Sequence, residues 1–359
     1  MPEPRELAVI YGGPSAEHEV SCVSARRIVQ TALDGGWSVS VLGLTRDKRW
    51  VDARAVLVDV ASGDGGALTS PDDLLADAPD AQLPGLEAAL PPDAVAFPVL
   101  HGPFGEDGVI QGHLEALGVP YVGAGVLSSA ICMDKGIAKS VLHDHAVPVA
   151  AWRVAERATW SRDVLDEAVA ALGLPLFVKP ANLGSSIGVS KPTGAAALGD
   201  AVTAAFEFDD HVLLEEFVRG RELELGALGN EDVRVTRAGE ILASREFYDY
   251  DDKYVLGLAE TIAPTDLTDA QLAHAQRVAT AAYRALRVEG LARVDLFLAD
   301  DDEIIVNEVN TMPGFTPISM FPMLWEAEGL SFAAVLDELV RLARARHARR
   351  KALRTHRLA

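Results

Sequence analysis

One stretch constrains this chain more than any other: residues 291–315, LARVDLFLADDDEIIVNEVNTMPGF. Two apolar runs flank an acidic cluster, which predicts a β-hairpin with strands at 294–298 and 304–310 and a turn at 300–303. Side chains alternate between the faces of a strand, so Asp295 shares a face with Arg293 and Phe297, and Glu308 shares one with Asn310 on the return strand. An Asp facing a Glu-x-Asn is an all-oxygen cluster, the kind that suits Mg²⁺ when phosphates and water complete the ligand set. A solvated turn accounts for the acids at 300–303. It does not account for Asp295, Glu308 and Asn310, which interrupt strongly apolar runs where an unpaired polar group is costly. Residues 310–314, Asn-Thr-Met-Pro-Gly, then leave the sheet through a turn whose glycine lets backbone N–H groups approach a ligand.

At 359 residues the chain exceeds one compact domain and fits two or three. A net charge of −21 argues against extended nucleic-acid binding, which needs a basic face. A protein so negative that handles a polyphosphate needs a few placed cations and a metal. Two cysteines, Cys22 and Cys132, without a CxxC fit a reducing compartment. The N-terminal segment does not read as a signal peptide, and no run reaches the ~18 apolar residues of a membrane span. A cytoplasmic location without membrane partners is expected.

Residues 7–11 form a short apolar strand ending at Gly12-Gly13, followed by an amphipathic stretch to Leu33: a strand, glycine turn and helix that open an α/β domain. The glycines lack dinucleotide-site spacing. Residues 61–92 read as a surface excursion with little core. The strand at 93–100 ends in His101-Gly102 and a polar glycine-rich loop, where α/β sheets bind ligands. Pro148 marks a boundary. A strand then places Lys179 at its end, before a loop carrying Gly184, Ser185, Ser186 and Gly188 and a second strand. This is a hairpin with a flexible lid. It lacks the P-loop pattern but offers similar backbone N–H groups, hydroxyls and a lysine for phosphate. Residues 211–222 supply a strand and crossover, 246–259 a long aromatic and charged loop, and Thr268 to Gln271 a capping box opening a helix. The basic residues 341–357 read as helix-end cations or a frayed tail.

These motifs, in this order, resemble those of the ATP-grasp ligases, and within them the D-alanine–D-alanine ligases. The resemblance rests on residues 12–21, His101-Gly102 with Gly105 to Gly108, Met133-Asp134-Lys135, Lys179-Pro180 with 184–188, Lys253-Tyr254, Arg293-Val294-Asp295 and 307–314. It covers nearly the whole chain, leaving out 61–92 and the basic tail. His18 stands where many members carry arginine, and Glu216 where some carry lysine.

The resemblance implies an α/β fold, α+β in its ATP-grasp part, in three domains. These are a Rossmann-like substrate-binding domain at 1–125, a central domain with the phosphate lid at 126–215, and a catalytic and metal-binding domain at 216–359. It implies transfer of the ATP γ-phosphoryl group to one D-alanine, attack by the amine of a second, and loss of phosphate, for peptidoglycan precursor synthesis. Asp295, Glu308 and Asn310 would hold two Mg²⁺, with Mn²⁺ as a substitute. Lys135, Lys179, Ser185, Ser186, Gly188 and Asn307 would meet the ATP phosphates and metal. Glu215, Glu216, Phe217, Val218 and Glu222 would cradle adenine and ribose. Arg293 and the Gly314 N–H would stabilise the oxyanion. Glu17 and His101 would receive the first D-alanine. Ser185 and Tyr254 would steer the attacking amine. Lys253, Ser319 and Met320 would contact the second substrate. Tyr254 argues for D-alanine over D-lactate as acceptor. A homodimer is implied by the family alone. The competing readings are a D-alanine–D-lactate or other carboxylate–amine ligase on this fold, and a nucleotide-binding regulatory protein that has lost catalysis.

Overall fold

The computed structural model describes residues 5–61, 66–242 and 260–354. Leu7 to Tyr11 are all fully buried, as a strand inside a parallel sheet must be. That strand, β1 (Glu6–Gly12), is followed by α1 (His18–Asp34) and lies between parallel neighbours β2 (Ser38–Leu44) and β5 (Val95–Pro98). Between these two in sequence come β3 (Trp50–Asp52), α2 (Val56–Ala61), α3 (Pro71–Asp77) and β4 (Gln82–Leu83), giving the sheet order β4-β3-β2-β1-β5. Alternation sends Leu7, Val9 and Tyr11 into one core and Ala8 and Ile10 into another on the opposite face. Helices α4 (Val109–Ala116), α5 (Val126–Met133) and α6 (Lys135–Asp144) come next, α6 capped by Asp134, whose side chain accepts from the Ile137 N–H at 2.9 Å.

A three-stranded antiparallel sheet succeeds them, ordered β6-β8-β7: β6 (Trp152–Glu156), β7 (Leu176–Pro180) and β8 (His211–Glu216), with α7 (Arg162–Leu172) and α8 (Ala195–Ala205) on it. The expected strand after the lid reduces to a single bridge, Val178 to Ser190. The stretch from 181 to 189 is spent on turns and leaves nothing to extend the ladder.

Residues 217–219 cross to the third sheet, ordered β12-β11-β9-β13-β14 with β10 also on β9. Its strands are β9 (Gly220–Gly229), β10 (Arg234–Val235), β11 (Gly239–Leu242), β12 (Glu260–Ile262), β13 (Gly290–Ala299) and β14 (Ile304–Asn310). Helix α9 (Asp269–Ala285) packs on it, opened by the predicted capping box of Thr268 and Gln271. The hairpin of β13 and β14 pairs Arg293 with Asn310 and Asp295 with Glu308, and then Leu296 with Val306. A β-bulge therefore sits at Asn307, and bulges are common beside active sites.

Helices α10 (Met320–Ala327) and α11 (Phe332–Lys351) close the fold. The basic tail is not frayed over the described residues. Its helix runs to Lys351, and Arg346 is buried and donates to the backbone carbonyls of Tyr121, at 2.8 Å, and Gly123. The excursion at 61–92 also differs from expectation. Leu68, Leu75 and Leu86 are buried, and Ser70 Oγ lies 2.9 Å from His18 Nε2. Three leucines scattered among Gly, Ala, Asp and Pro have no period for a sequence reading to find.

Candidate active site

The third sheet, the lid and the loop ends of the first sheet enclose a cavity of about 680 Å³. It is lined by Glu17 and His101 from the first sheet, Gly184 and Ser185 from the lid, Arg293, Glu308 and Asn310 from the hairpin, and Gly314, Ser319 and Met320 from the segment between β14 and α10. Nine of the residues expected to bind substrate, metal or the oxyanion thus fall within one space.

Arg293 is its centre. The guanidinium grips Asp295 with two bonds of 2.7 Å, and Nε lies 3.2 Å from Glu224. Burial opposes its charge, but Asp295, Glu224 and Glu308 more than offset that and hold its pKa well above the usual arginine range. The cation is therefore permanent and fixed in direction, as a donor that stabilises developing charge must be. Gly314 is crowded in turn: a Cβ there would stand 2.7 Å from Ser319 Oγ. Glycine avoids that clash and lets the backbone approach the cavity closely.

On the opposite wall, the buried His101 places Nδ1 3.1 Å from the Met312 carbonyl, and its Nε2 has no partner among the described residues. Nδ1 must be the donor, so in the neutral ring Nε2 is an acceptor, buried at the cavity wall. Burial lowers the His101 pKa, Glu17 raises it and Arg293 lowers it further, so the net shift is downward and the ring is neutral. Beside it Glu106 accepts from the Gly102 N–H at 2.6 Å. Burial, then the neighbouring Glu17, pushes its carboxyl up to about 8. Glu17 lies against the lid, since a Cβ on Gly184 would be 3.4 Å from its Oε2. Ser185 and Ser186 hold φ of 52° and 57°, a strained conformation for non-glycine residues of the kind that clusters at ligand clamps.

The expected nucleotide residues lie where the second sheet meets the third. Lys179 Nζ is 2.5 Å from Glu215 and 3.4 Å from Asn307 Oδ1, which the bulge turns toward it. Lys135 bonds the lid carbonyl of Leu183 at 2.6 Å and approaches Glu308 at 3.6 Å. Glu215 is buried between two lysines, since Lys139 is also 2.7 Å away. Burial would raise its pKa, but Lys179 and Lys139 together pull it down to about 2. Glu216 accepts from the Ala151 N–H at 2.7 Å, tying the crossover to the second sheet. Phe217 is exposed with Lys191 Nζ 4.3 Å from its ring centre, and Val218 and Glu222 are half-buried beside it. Ser186 and Gly188 stay in the lid, outside the large cavity. Lys253 and Tyr254 lie outside the described residues.

The expected metal ligands are all hard oxygens, and the strand register sets Asp295 against Glu308 with Asn310 two residues on. No three His, Cys, Asp or Glu side chains form a metal cluster among the described residues. The set fits an ion that takes its remaining ligands from phosphate and water, as Mg²⁺ does. Three residues of the site escaped the sequence reading. Lys139 sits four residues after Lys135 on one helix face, and Glu106 lies in the loop after His101. Glu224 alternates with Glu222 along β9, a pattern that could have marked it.

Two sheets meeting over a lysine-lined cleft, with a carboxylate hairpin on one side and a glycine-serine lid on the other, define an ATP-grasp enzyme. Comparison narrows the class. The family model described as "D-ala D-ala ligase C-terminus" matches residues 141–341, and "D-ala D-ala ligase N-terminus" matches 6–124. The D-alanine–D-alanine ligase of Bacillus cytotoxicus is 41% identical, covering 95% of this chain and 96% of its own. D-alanine–D-alanine ligase A of Escherichia coli K12 is 40% identical over 98% and 99%. Among solved structures, the D-alanine–D-alanine ligase from Coxiella burnetii superposes with a TM-score of 0.81 at 33% identity, covering 96% of this chain and 97% of that one. The VanG D-Ala:D-Ser ligase from Enterococcus faecalis gives 0.83 at 32%, covering 95% and 100%. The chain belongs to the D-alanine–D-alanine ligase family.

Proposed function

We propose that this chain joins two D-alanine molecules into D-alanyl-D-alanine, using ATP to activate the first carboxylate as an acyl phosphate and releasing ADP and phosphate. The observation that carries the reading is the cavity in which Arg293, Gly314, His101 and Glu17 face one another beside the Glu308–Asn310 edge. The product serves peptidoglycan precursor synthesis.

In this reading Glu17 holds the first substrate's ammonium and the neutral His101 Nε2 accepts a hydrogen bond beside it. Arg293, locked by Asp295 and Glu224, meets the oxygen that gains charge when the amine attacks the acyl phosphate. Lys135 and Lys179 bind phosphate oxygens, and Ser185, Ser186 and Gly188 exclude water over them. Glu215 to Val218, with Glu222, bind adenine and ribose at the crossover. Asp295, Glu308 and Asn310 would hold Mg²⁺, or Mn²⁺ in its place, whose chemistry is to neutralise the transferring phosphoryl group. Lys253, Tyr254, Ser319 and Met320 receive the second substrate. The domain division at 125 and 215 is part of this reading, and so is a cytoplasmic homodimer as the working state. No described helix is long and apolar enough to cross a membrane.

A second reading has one specific observation behind it, the fold-level match to a D-Ala:D-Ser ligase. The test is product analysis after incubation with ATP, Mg²⁺, D-alanine and, in turn, D-serine or D-lactate. D-alanyl-D-alanine should dominate at neutral pH. A dominant mixed dipeptide or depsipeptide would overturn the acceptor assignment while leaving the ligase chemistry intact.

A further inference from the structure

A second cavity, of about 330 Å³, lies between the end of α4 and the last turns of α11. It shares no lining residue with the catalytic cavity. Val119, Pro120, Ala343 and the Tyr121 ring supply apolar wall; Arg346, His347, Arg350 and Lys351 face it from the helix, with Glu115 opposite. Three cations therefore meet one carboxylate, in a chain whose net charge is −21.

The single carboxylate is already used. Glu115 takes Arg350 through both oxygens, one at 3.1 Å, and accepts the Tyr121 hydroxyl at 2.8 Å. Arg346 is 3% exposed, and its partners are two backbone carbonyls and the Tyr121 ring, 4.3 Å away. Carbonyls accept two of its N–H groups but carry no charge, and Glu289 and Glu115 act on it only from beyond ion-pair distance, an expensive state for a buried cation. Lys351 makes no ion pair among the described residues. Two cations without a direct ion pair among the described residues, on an apolar-walled hollow of this size, match the lower end of small-ligand pockets.

We propose that this cavity is a binding site for a small organic anion, a carboxylate or phosphate ester on a flat apolar body, held by Arg346, Arg350 and Lys351 and packed on Val119 and Pro120. The anion supplies the direct ion pair that Arg346 lacks, and its apolar part replaces water against the Pro120 wall. The catalytic reading neither needs nor predicts this site.

Isothermal titration with phenyl phosphate and with benzoate tests it, using full-length protein whose nucleotide site is saturated with ADP and Mg²⁺. At least one probe should bind at a single site. Lys351→Ala, on an exposed side chain, and Arg350→Gln should each weaken that binding by about tenfold. Preference for phenyl phosphate would identify a phosphate ester, and equal binding would mean that charge and shape alone are read. Absence of binding by both probes at millimolar concentration would overturn the proposal, as would binding that neither substitution changes. D-alanine-dependent phosphate release by the two variants checks that each is folded, and failure of that assay in the wild type as well would instead count against the ligase reading.

Discussion

Replacing Arg293 by alanine separates two jobs that one side chain performs. The guanidinium satisfies Asp295 through two 2.7 Å bonds and Glu224 through one at 3.2 Å, and both acids are buried. Removing one partner of a buried ion pair costs about 3–5 kcal/mol. Because the Arg293 side chain retains 19% exposure, water can partly replace it and the lower end of about 3 kcal/mol applies. Loss of an oxyanion donor costs a further ~3–4 kcal/mol in the transition state, or about 10²–10³ in turnover. The two losses respond differently to divalent metal. Without Arg293 the carboxylates at 224, 295 and 308 repel one another, so Mg²⁺ should raise the melting temperature of the variant more than that of the wild type. Turnover should stay low even when metal has restored stability. The assay is D-alanine-dependent phosphate release at saturating ATP, with a melting curve at each Mg²⁺ concentration. Turnover within a few-fold of wild type in the metal-stabilised variant would refute the oxyanion role.

Two further substitutions probe the same geometry. Glu106→Gln addresses pH. The folded protein holds a proton on Glu106 up to about 8 while the unfolded chain releases it near 4.5, so the metal-free and nucleotide-free wild type should lose stability as pH rises from 4.5 to about 8 and level off above. The glutamine variant should decline less in urea midpoints measured across that window, and parallel curves would remove Glu106 as the cause. Lys139→Met leaves Glu215 with Lys179 as its sole cation, binding that lysine more firmly to the protein than to phosphate; the ATP KM should rise by about tenfold with kcat nearly unchanged, and Lys139→Arg should recover part of it. An unaltered KM in the methionine variant would show that Lys179 is not shared between the two anions.

The hairpin was legible because its chemistry interrupts its periodicity: Asp295, Glu308 and Asn310 are polar where strand neighbours are apolar. The strand ends near His101 and Lys179 were legible for a related reason, since each closes an apolar run with a residue that needs a partner. Lys139 and Glu224 carry only a weak local signal, because their importance arises from pairing across elements far apart in sequence. Lys139 is defined by Glu215, and Glu224 by Arg293, and no local window contains both members. The tail was half legible: Arg349, Arg350 and Lys351 are the expected helix-end cations, but Arg346 was hidden for the complementary reason. Its arginines look solvated one by one, and Arg346 is buried only because Tyr121 and Gly123 offer it carbonyls.

The bulge at Asn307 gives the hairpin two incompatible loyalties at once. Val294, Leu296 and Leu298 on one strand meet Val309, Val306 and Ile304 on the other, and the gap of three between Val309 and Val306 breaks the even step of a strand. The surplus residue acts as a half-turn in a screw thread, rephasing the distal part of β14 so that it points inward while Glu308 and Asn310 keep pointing at the cavity. A chain that lost Asn307 would have to choose: seat the distal valine and isoleucine and swing both polar groups into oil, or keep the polar pair in place and strip the sheet of its filling.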